Sequence, residues 1–194
     1  MQAGIDSVNV MLSERGIKTI DSIESYRDIF DFPIEEYYRR LGFDFERETY
    51  EVLAPIWVAE YNARVEEAKI VDGVAAALDT TKKLGITQVI ISASEEGMLC
   101  RDLKRLGVYG CFDRVMGLDN IHAGSKEHIA QAFAKENPDA RLLFVGDTTH
   151  DAQVARAVGA DCLLFSGGHQ SRERLEACGY PVIDSILEIV KYIN

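Results

Sequence analysis

Long apolar runs are missing from this chain. None approaches the ~20 residues needed to span a bilayer, and the first residues carry no secretory pattern, so a cytoplasmic protein is expected. Cysteine is sparse and scattered: Cys100, Cys111, Cys162 and Cys178 form no CxxC pair, which reads as reduced thiols and not a disulfide framework. His122, His128, His150 and His169 make no HExxH and no Cys/His cluster, so zinc is not expected. Basic charge is in deficit as well. With 21 Lys and Arg against 32 Asp and Glu, the formal charge is −11, which argues against nucleic acid or an anionic membrane as partner, since both need a basic patch. A small anionic substrate would then be drawn in locally, by a metal or a few cations.

What is present is the composition of a globular domain: 194 residues, 47% hydrophobic and 27% charged, enough for one domain or one domain with an insertion. Residues 1–70 read as helical. Ile5, Val8, Met11 and Leu12 share one face before Gly16; Asp21 and Ser22 suit a cap; Pro33 suits the start of IEEYYRRLG, which closes at Gly42. A segment from Phe45 to Lys69 has helical spacing, with Pro55 expected to kink or split it. From Gly73 helices alternate with short apolar strands: TQVIIS ending at Ser92, FDRVMG, RLLFVG, DCLLFS and PVI. Glu95 and Glu96 fall in the first turn of the helix after Ser92, where the dipole favours acids. A closing helix carries Ile186, Ile189, Val190 and Ile193. That alternation predicts an α/β fold with a parallel, doubly wound, Rossmann-like sheet over residues 71–194, preceded by a helical cap domain over 1–70.

The stretch Arg141–Asp151, RLLFVGDTTHD, organises the rest. Its unbroken apolar run predicts a strand buried on both faces, and Gly146 allows a sharp turn at the carboxyl end, where open α/β sheets bind ligands. Asp147 and Asp151 follow, four residues apart, and are candidates to share one hard cation. Ser92 closes an apolar strand with Ser94 beside it; their hydroxyls and nearby amides suit a phosphate oxygen. Lys126 opens a helix, an uncomfortable place for a cation unless it faces an anion. Singly, these residues read as a turn serine, a solvated lysine and an N-cap; their order and context carry the functional reading.

This set resembles the haloacid dehalogenase superfamily of phosphohydrolases, in particular its phosphoglycolate-phosphatase-like members. There a Ser or Thr closes the second core strand (Ser92 in VIISAS), a Lys opens a later helix (Lys126 in GSKEHIA), and a hydrophobic-GDxxxD signature supplies acids (Gly146, Asp147, Asp151). EEYYRRLG resembles part of the family's helical cap. The resemblance implies Mg²⁺ near Asp147 and Asp151, a phosphate clamp of Ser92 and Lys126, and a small phosphorylated metabolite as substrate. Substrate contacts are expected from Ser94, Tyr38 and Arg39. His150 is expected at the surface, and Gly167, Gly168 and His169 resemble a loop at the site rim.

One part of the pattern is absent. The family's DxDGT motif, which supplies the nucleophilic Asp and the general acid/base, has no counterpart near this N-terminus, and Asp6, on an amphipathic helix and followed by Ser7, does not replace it. The resemblance implies hydrolysis through an aspartyl-phosphate, so the chain as written is expected to be nearly inert toward phosphate esters. The first core strand is expected to be absent too, leaving a slot between the strands ending at Ser92 and Gly146. Those strands could pair directly, another segment or chain could fill the slot, or the true start could lie upstream; the last is the expectation adopted, with self-association through the slot as a further one. The rival function is a phosphate-binding or regulatory relative without catalysis. Dehalogenase or mutase chemistry on the same core also stays open.

Overall fold

The computed structural model describes residues 1–193. Four helices open the chain: α1 (Gln2–Glu14), α2 (Ile23–Ile29), α3 (Ile34–Leu41) and α4 (Tyr50–Asn62). The predicted face of α1 is the one it buries: Ile5, Val8, Met11 and Leu12 are at most 4% exposed. Asn9 fixes the returning chain by a mutual pair with Ile20, its amide accepting from Ile20 N (2.8 Å) and donating to Ile20 O (2.9 Å). Ser22 caps α2 by accepting from Ser25 N at 3.0 Å. Ser22→Ala is therefore expected to lower stability by about 1 kcal/mol, the usual value of such a cap, as read from urea unfolding.

α3 ends at Gly42 in the left-handed region (φ +98°), where a residue without Cβ avoids strain. α4 starts at Tyr50, not at Phe45, because residues 44–48 form a turn held by Asp44, whose carbonyl accepts from Arg47 N and Glu48 N. Pro55 lies inside α4 without dividing it. These helices share one aromatic-rich core around Leu12, Tyr26, Tyr38 and Leu53.

The second part follows as α5 (Val74–Lys83), β1 (Val89–Glu95), α6 (Glu96–Arg105), β2 (Arg114–Leu118), α7 (Glu127–Glu136), β3 (Leu143–Gly146), α8 (Thr149–Ala157), β4 (Asp161–Phe165), α9 (Arg172–Glu176) and β5 (Val182–Ile183). Residues 186–191 form a 3-10 turn capped by Ser185 instead of the expected closing α-helix. All strand pairs are parallel, as the α/β alternation requires.

They form two sheets, β1-β2 and β3-β4-β5, so β1 and β3 each keep one edge without a strand partner among the described residues. Direct pairing of β1 with β3 is thus not the arrangement adopted. The open edges explain a further difference. β3 was expected to be buried on both faces, yet Val145 is 42% exposed, and no residue of β1 is fully buried. The most buried strand is β4, which lies between β3 and β5 and buries Cys162, Leu163 and Leu164. All four cysteines are free thiols, and burial raises the pKa of Cys162 to about 12. No helix among the described residues is long and apolar enough to cross a membrane.

Candidate functional site

The turn after β3 builds the floor of the site. A Cβ on Gly146 would fall 2.3 Å from the Cβ of Asp151, so glycine is what lets α8 start this close to the strand. Thr148 and Asp151 form a capping box at that start. Oδ2 of Asp151 accepts from Asp147 N (3.0 Å), Thr148 N (2.9 Å) and Thr148 Oγ1 (2.7 Å). Its Oδ1 lies 2.6 Å from Lys126 Nζ. Burial opposes the charge on Asp151, but the Lys126 ammonium and these hydrogen bonds outweigh it and hold the carboxyl below the usual range. Asp151, expected to share a cation with Asp147, has both oxygens committed and serves to place Lys126.

Lys126 stands at the N-cap of α7 and also donates to Ile91 O in β1, at 3.2 Å. One ammonium therefore ties the β1-β2 sheet to the β3-β4-β5 sheet. It has three N–H donors, and these contacts use two.

Ser92 follows Ile91 and accepts from Ser94 N at 3.1 Å. β1 does not stop at Ser92 as expected. Its pairing breaks register between Ile91 and Glu95, then resumes, so Ser92 sits in an irregular stretch within the strand. Glu95 caps α6, its carboxylate accepting from Gly97 N (2.9 Å) and Met98 N (2.8 Å).

The third wall is the loop after β4. Oδ2 of Asp147 accepts from His169 N at 2.8 Å. The backbone of Gly168 packs so closely on Asp147 that an added Cβ would lie 2.3 Å from Asp147 Cβ. Gly168→Ala is expected to displace Asp147, costing about 1–3 kcal/mol of stability as overpacking, with the shift visible in a crystal structure of the variant. His169 is buried against the helical part: Nδ1 meets Tyr26 Oη at 2.5 Å and the ring stacks on Phe30 at 4.7 Å. Burial, against the pull of Asp147, lowers its pKa.

His150, expected at the surface, is 9% exposed and stacks on Phe32 at 5.0 Å; burial and the neighbouring Lys126 lower its pKa. Its Nε2 has no hydrogen-bond partner. Sequence reasoning placed Gly168 and His169 at a rim but gave them no role. A glycine pair followed by histidine at a strand end was the signal available.

These walls enclose a cavity of about 470 Å³ between the helical part and the sheets. Ser92, Ser94, Lys126, Asp147, Asp151 and Tyr38 all line it, so residues far apart in sequence do converge. Arg39 does not. It turns outward, half-exposed, to pair with Glu35 and lie over the Phe45 ring at 4.7 Å. Arg40 pairs with Asp31 at 2.9 Å. Asp6 lies exposed on α1, held by Gln2 at 2.8 Å, away from the cavity.

No group of three His, Cys, Asp or Glu side chains among the described residues could hold a metal ion. Mg²⁺, however, takes one or two carboxylates and keeps several waters. Asp147 fits that modest demand, since its Oδ1 accepts no hydrogen bond among the described residues; Asp151 does not.

Comparison with known proteins agrees with this layout. Residues 1–165 match the family described as haloacid dehalogenase-like hydrolase. A phosphoglycolate phosphatase of Pseudomonas savastanoi pv. phaseolicola is 25% identical over 139 residues, 70% of this chain and 51% of the relative. The tyrosine-protein kinase PtkA of Mycobacterium bovis is 24% identical over 155 residues, 78% of this chain and 52% of that one. The chain thus spans about half the length of these relatives. A haloacid dehalogenase-like hydrolase structure from Streptococcus pneumoniae superposes with a TM-score of 0.84 at 19% identity, covering 100% of this chain and 91% of the other, a likeness of fold.

Proposed function

Because this chain belongs to the haloacid dehalogenase-like hydrolases, we propose that its cavity is the phosphate-holding part of a small-molecule phosphatase site. The observation that carries the reading is Lys126. Its ammonium lines the cavity, is held from two sides by Ile91 O and Asp151, and has one N–H donor left. A phosphoryl oxygen is the acceptor that completes it, with the Ser92 hydroxyl supplying a second contact on the same side. Asp151 fixes the ammonium by charge and hydrogen bond, so little reorganisation is needed on binding. Asp147 is the residue that would hold Mg²⁺, steadied by His169 N on its other oxygen. When bound there, the ion would offset the charge of the phosphoryl group.

Attack on phosphorus requires a carboxylate free to form a bond. Four carboxylates line the cavity among the described residues: Glu95, Asp102, Asp147 and Asp151. Glu95 caps a helix, Asp151 is committed to Lys126, Asp102 contacts Tyr61 and Arg101, and Asp147 is the proposed metal ligand. The residues present bind and orient a phosphate ester, and none is placed to be the nucleophile. This favours, for the chain as written, binding without turnover. With p-nitrophenyl phosphate and Mg²⁺ it is expected to release nitrophenol at the background rate. Adding an N-terminal strand that carries a DxDGT motif is expected to raise the rate by several orders of magnitude. Brisk turnover by the unextended chain would overturn the assignment of the carboxylates, and no gain on extension would favour a binding protein.

A further inference from the structure

The carboxylate of Asp147 is held from outside its own turn. Its Oδ2 accepts from His169 N at 2.8 Å, and a Cβ on Gly168 would lie 2.0 Å from that oxygen, so the loop after β4 sets which way the group points. Oδ1 accepts no hydrogen bond among the described residues and is left for a cation. What holds the loop therefore decides what holds Asp147.

The helical part holds it, through α2 and the residue that ends that helix, Phe30. Arg27 Nε donates to Gly168 O at 2.9 Å, the His169 ring stacks on Phe30 at 4.7 Å and 24°, and Tyr26 Oη meets His169 Nδ1 at 2.5 Å. The end of α2 is anchored in turn, since Arg174 donates to Phe30 O at 2.6 Å and pairs with Asp31 at 3.1 Å. Core packing explains the ring of Tyr26, which meets Phe30 at 5.2 Å and Tyr37 at 6.0 Å. It does not explain the hydroxyl. Tyr37, buried in the same core, leaves its hydroxyl without a partner, whereas that of Tyr26 is spent on the residue whose amide grips Asp147.

We propose that Tyr26 is a positioning residue for the cation site: through His169 it fixes the Asp147 carboxylate with Oδ1 free for a divalent metal. The proposal rests on the reading of Asp147 as the Mg²⁺ ligand and adds the residue that keeps it in place. Groups behind a metal ligand preset its orientation, and losing one typically weakens metal binding about 10–100-fold. Tyr26 acts one step further back, so the low end of that range is expected. Met1 also lines the cavity, and its amino group and Asp147 attract each other, so it competes with a cation there. That competition is common to parent and variants and cancels in their comparison.

Tyr26→Phe keeps the ring and removes the contact with His169. Mn²⁺, which suits carboxylate and water ligands as Mg²⁺ does, is titrated into nitrogen-15-labelled protein and followed by the broadening of individual amide signals. The amides around Asp147 are expected to broaden in the parent chain and to need about tenfold more Mn²⁺ in Tyr26→Phe. The His169 amide proton, drawn downfield by its bond to the carboxylate, should move upfield in that variant before any metal is added, a change that a packing role alone does not produce. Arg27→Met, outside the aromatic core, loosens the same loop at Gly168 O and should move the same signal. Tyr37→Phe is the control and should match the parent in both readouts. Parent-like broadening in Tyr26→Phe, or an equal loss in Tyr37→Phe, would overturn the positioning role and leave Asp147 as the ligand. Asp147→Asn that still broadened there like the parent would overturn the metal reading, and the proposal with it.

Discussion

Lys126→Met is expected to lower stability by about 3–5 kcal/mol, because it leaves the Asp151 carboxylate buried without its counter-charge. Asp151 is 5% exposed, and its remaining hydrogen bonds come from its own helix start, none of them from a charged donor. Solvent screening is a small correction here, since the two side chains are 15% and 7% exposed. The same substitution removes the ion-pair tie between the two sheets. Adding Asp151→Asn to Lys126→Met should recover most of the loss, since the amide can keep the capping contacts without a charge. Urea unfolding of the two single variants and the double variant gives the coupling directly. If the single Lys126 variant unfolded like the parent, the ion pair would be of no consequence to the fold.

The second large effect is expected at Gln170, which is fully buried. Its Oε1 accepts from Thr149 N at 2.6 Å, at the start of α8, and its Nε2 donates to Phe30 O at 3.0 Å, in the helical part. Gln170→Leu leaves the part-buried Thr149 N–H and the buried Phe30 carbonyl to find other partners. At about 1–3 kcal/mol for each orphaned group, the expected loss is about 2–6 kcal/mol. Arg174 also donates to the Phe30 carbonyl at 2.6 Å, so the cost at that acceptor falls at the lower end. Because Gln170 joins the helical part to the cavity wall, the variant should also bind cavity ligands more weakly. A thermal or urea midpoint equal to the parent's would show that the bridge is dispensable.

Local patterns were legible in the sequence, and long-range partners were not. The buried stripe of α1 follows from spacing alone, as does the Ser22 cap, and Gly42 follows from its place at the end of the IEEYYRRL run. GDTTHD announces a strand end followed by acids, but the pattern is silent on which acid faces a cation. Asp151 was read as a metal ligand because sequence cannot see Lys126, 25 positions earlier, arriving at its Oδ1. Arg39 was read as a substrate contact because helix spacing does not say which of four successive residues turns inward; Tyr37 and Tyr38 do, Arg39 and Arg40 do not. His150 and His169 were given no role because their burial depends on Phe30 and Phe32, more than a hundred residues away. The apolar composition of β3 suggested two buried faces, and that of β1 a buried strand. Their exposure instead reflects how many neighbours each strand has, which is a property of the sheet and not of the run.

The convergence of Ser92, Lys126 and Asp147 on one cavity is tested most directly with inorganic phosphate. Phosphorus NMR of orthophosphate, titrated with the chain and with its Lys126→Met/Asp151→Asn double variant, separates binding from folding, since the double variant is expected to stay folded. The account predicts saturable broadening or shift of the phosphate signal with the parent chain and none with the double variant. Equal broadening by both proteins would contradict it.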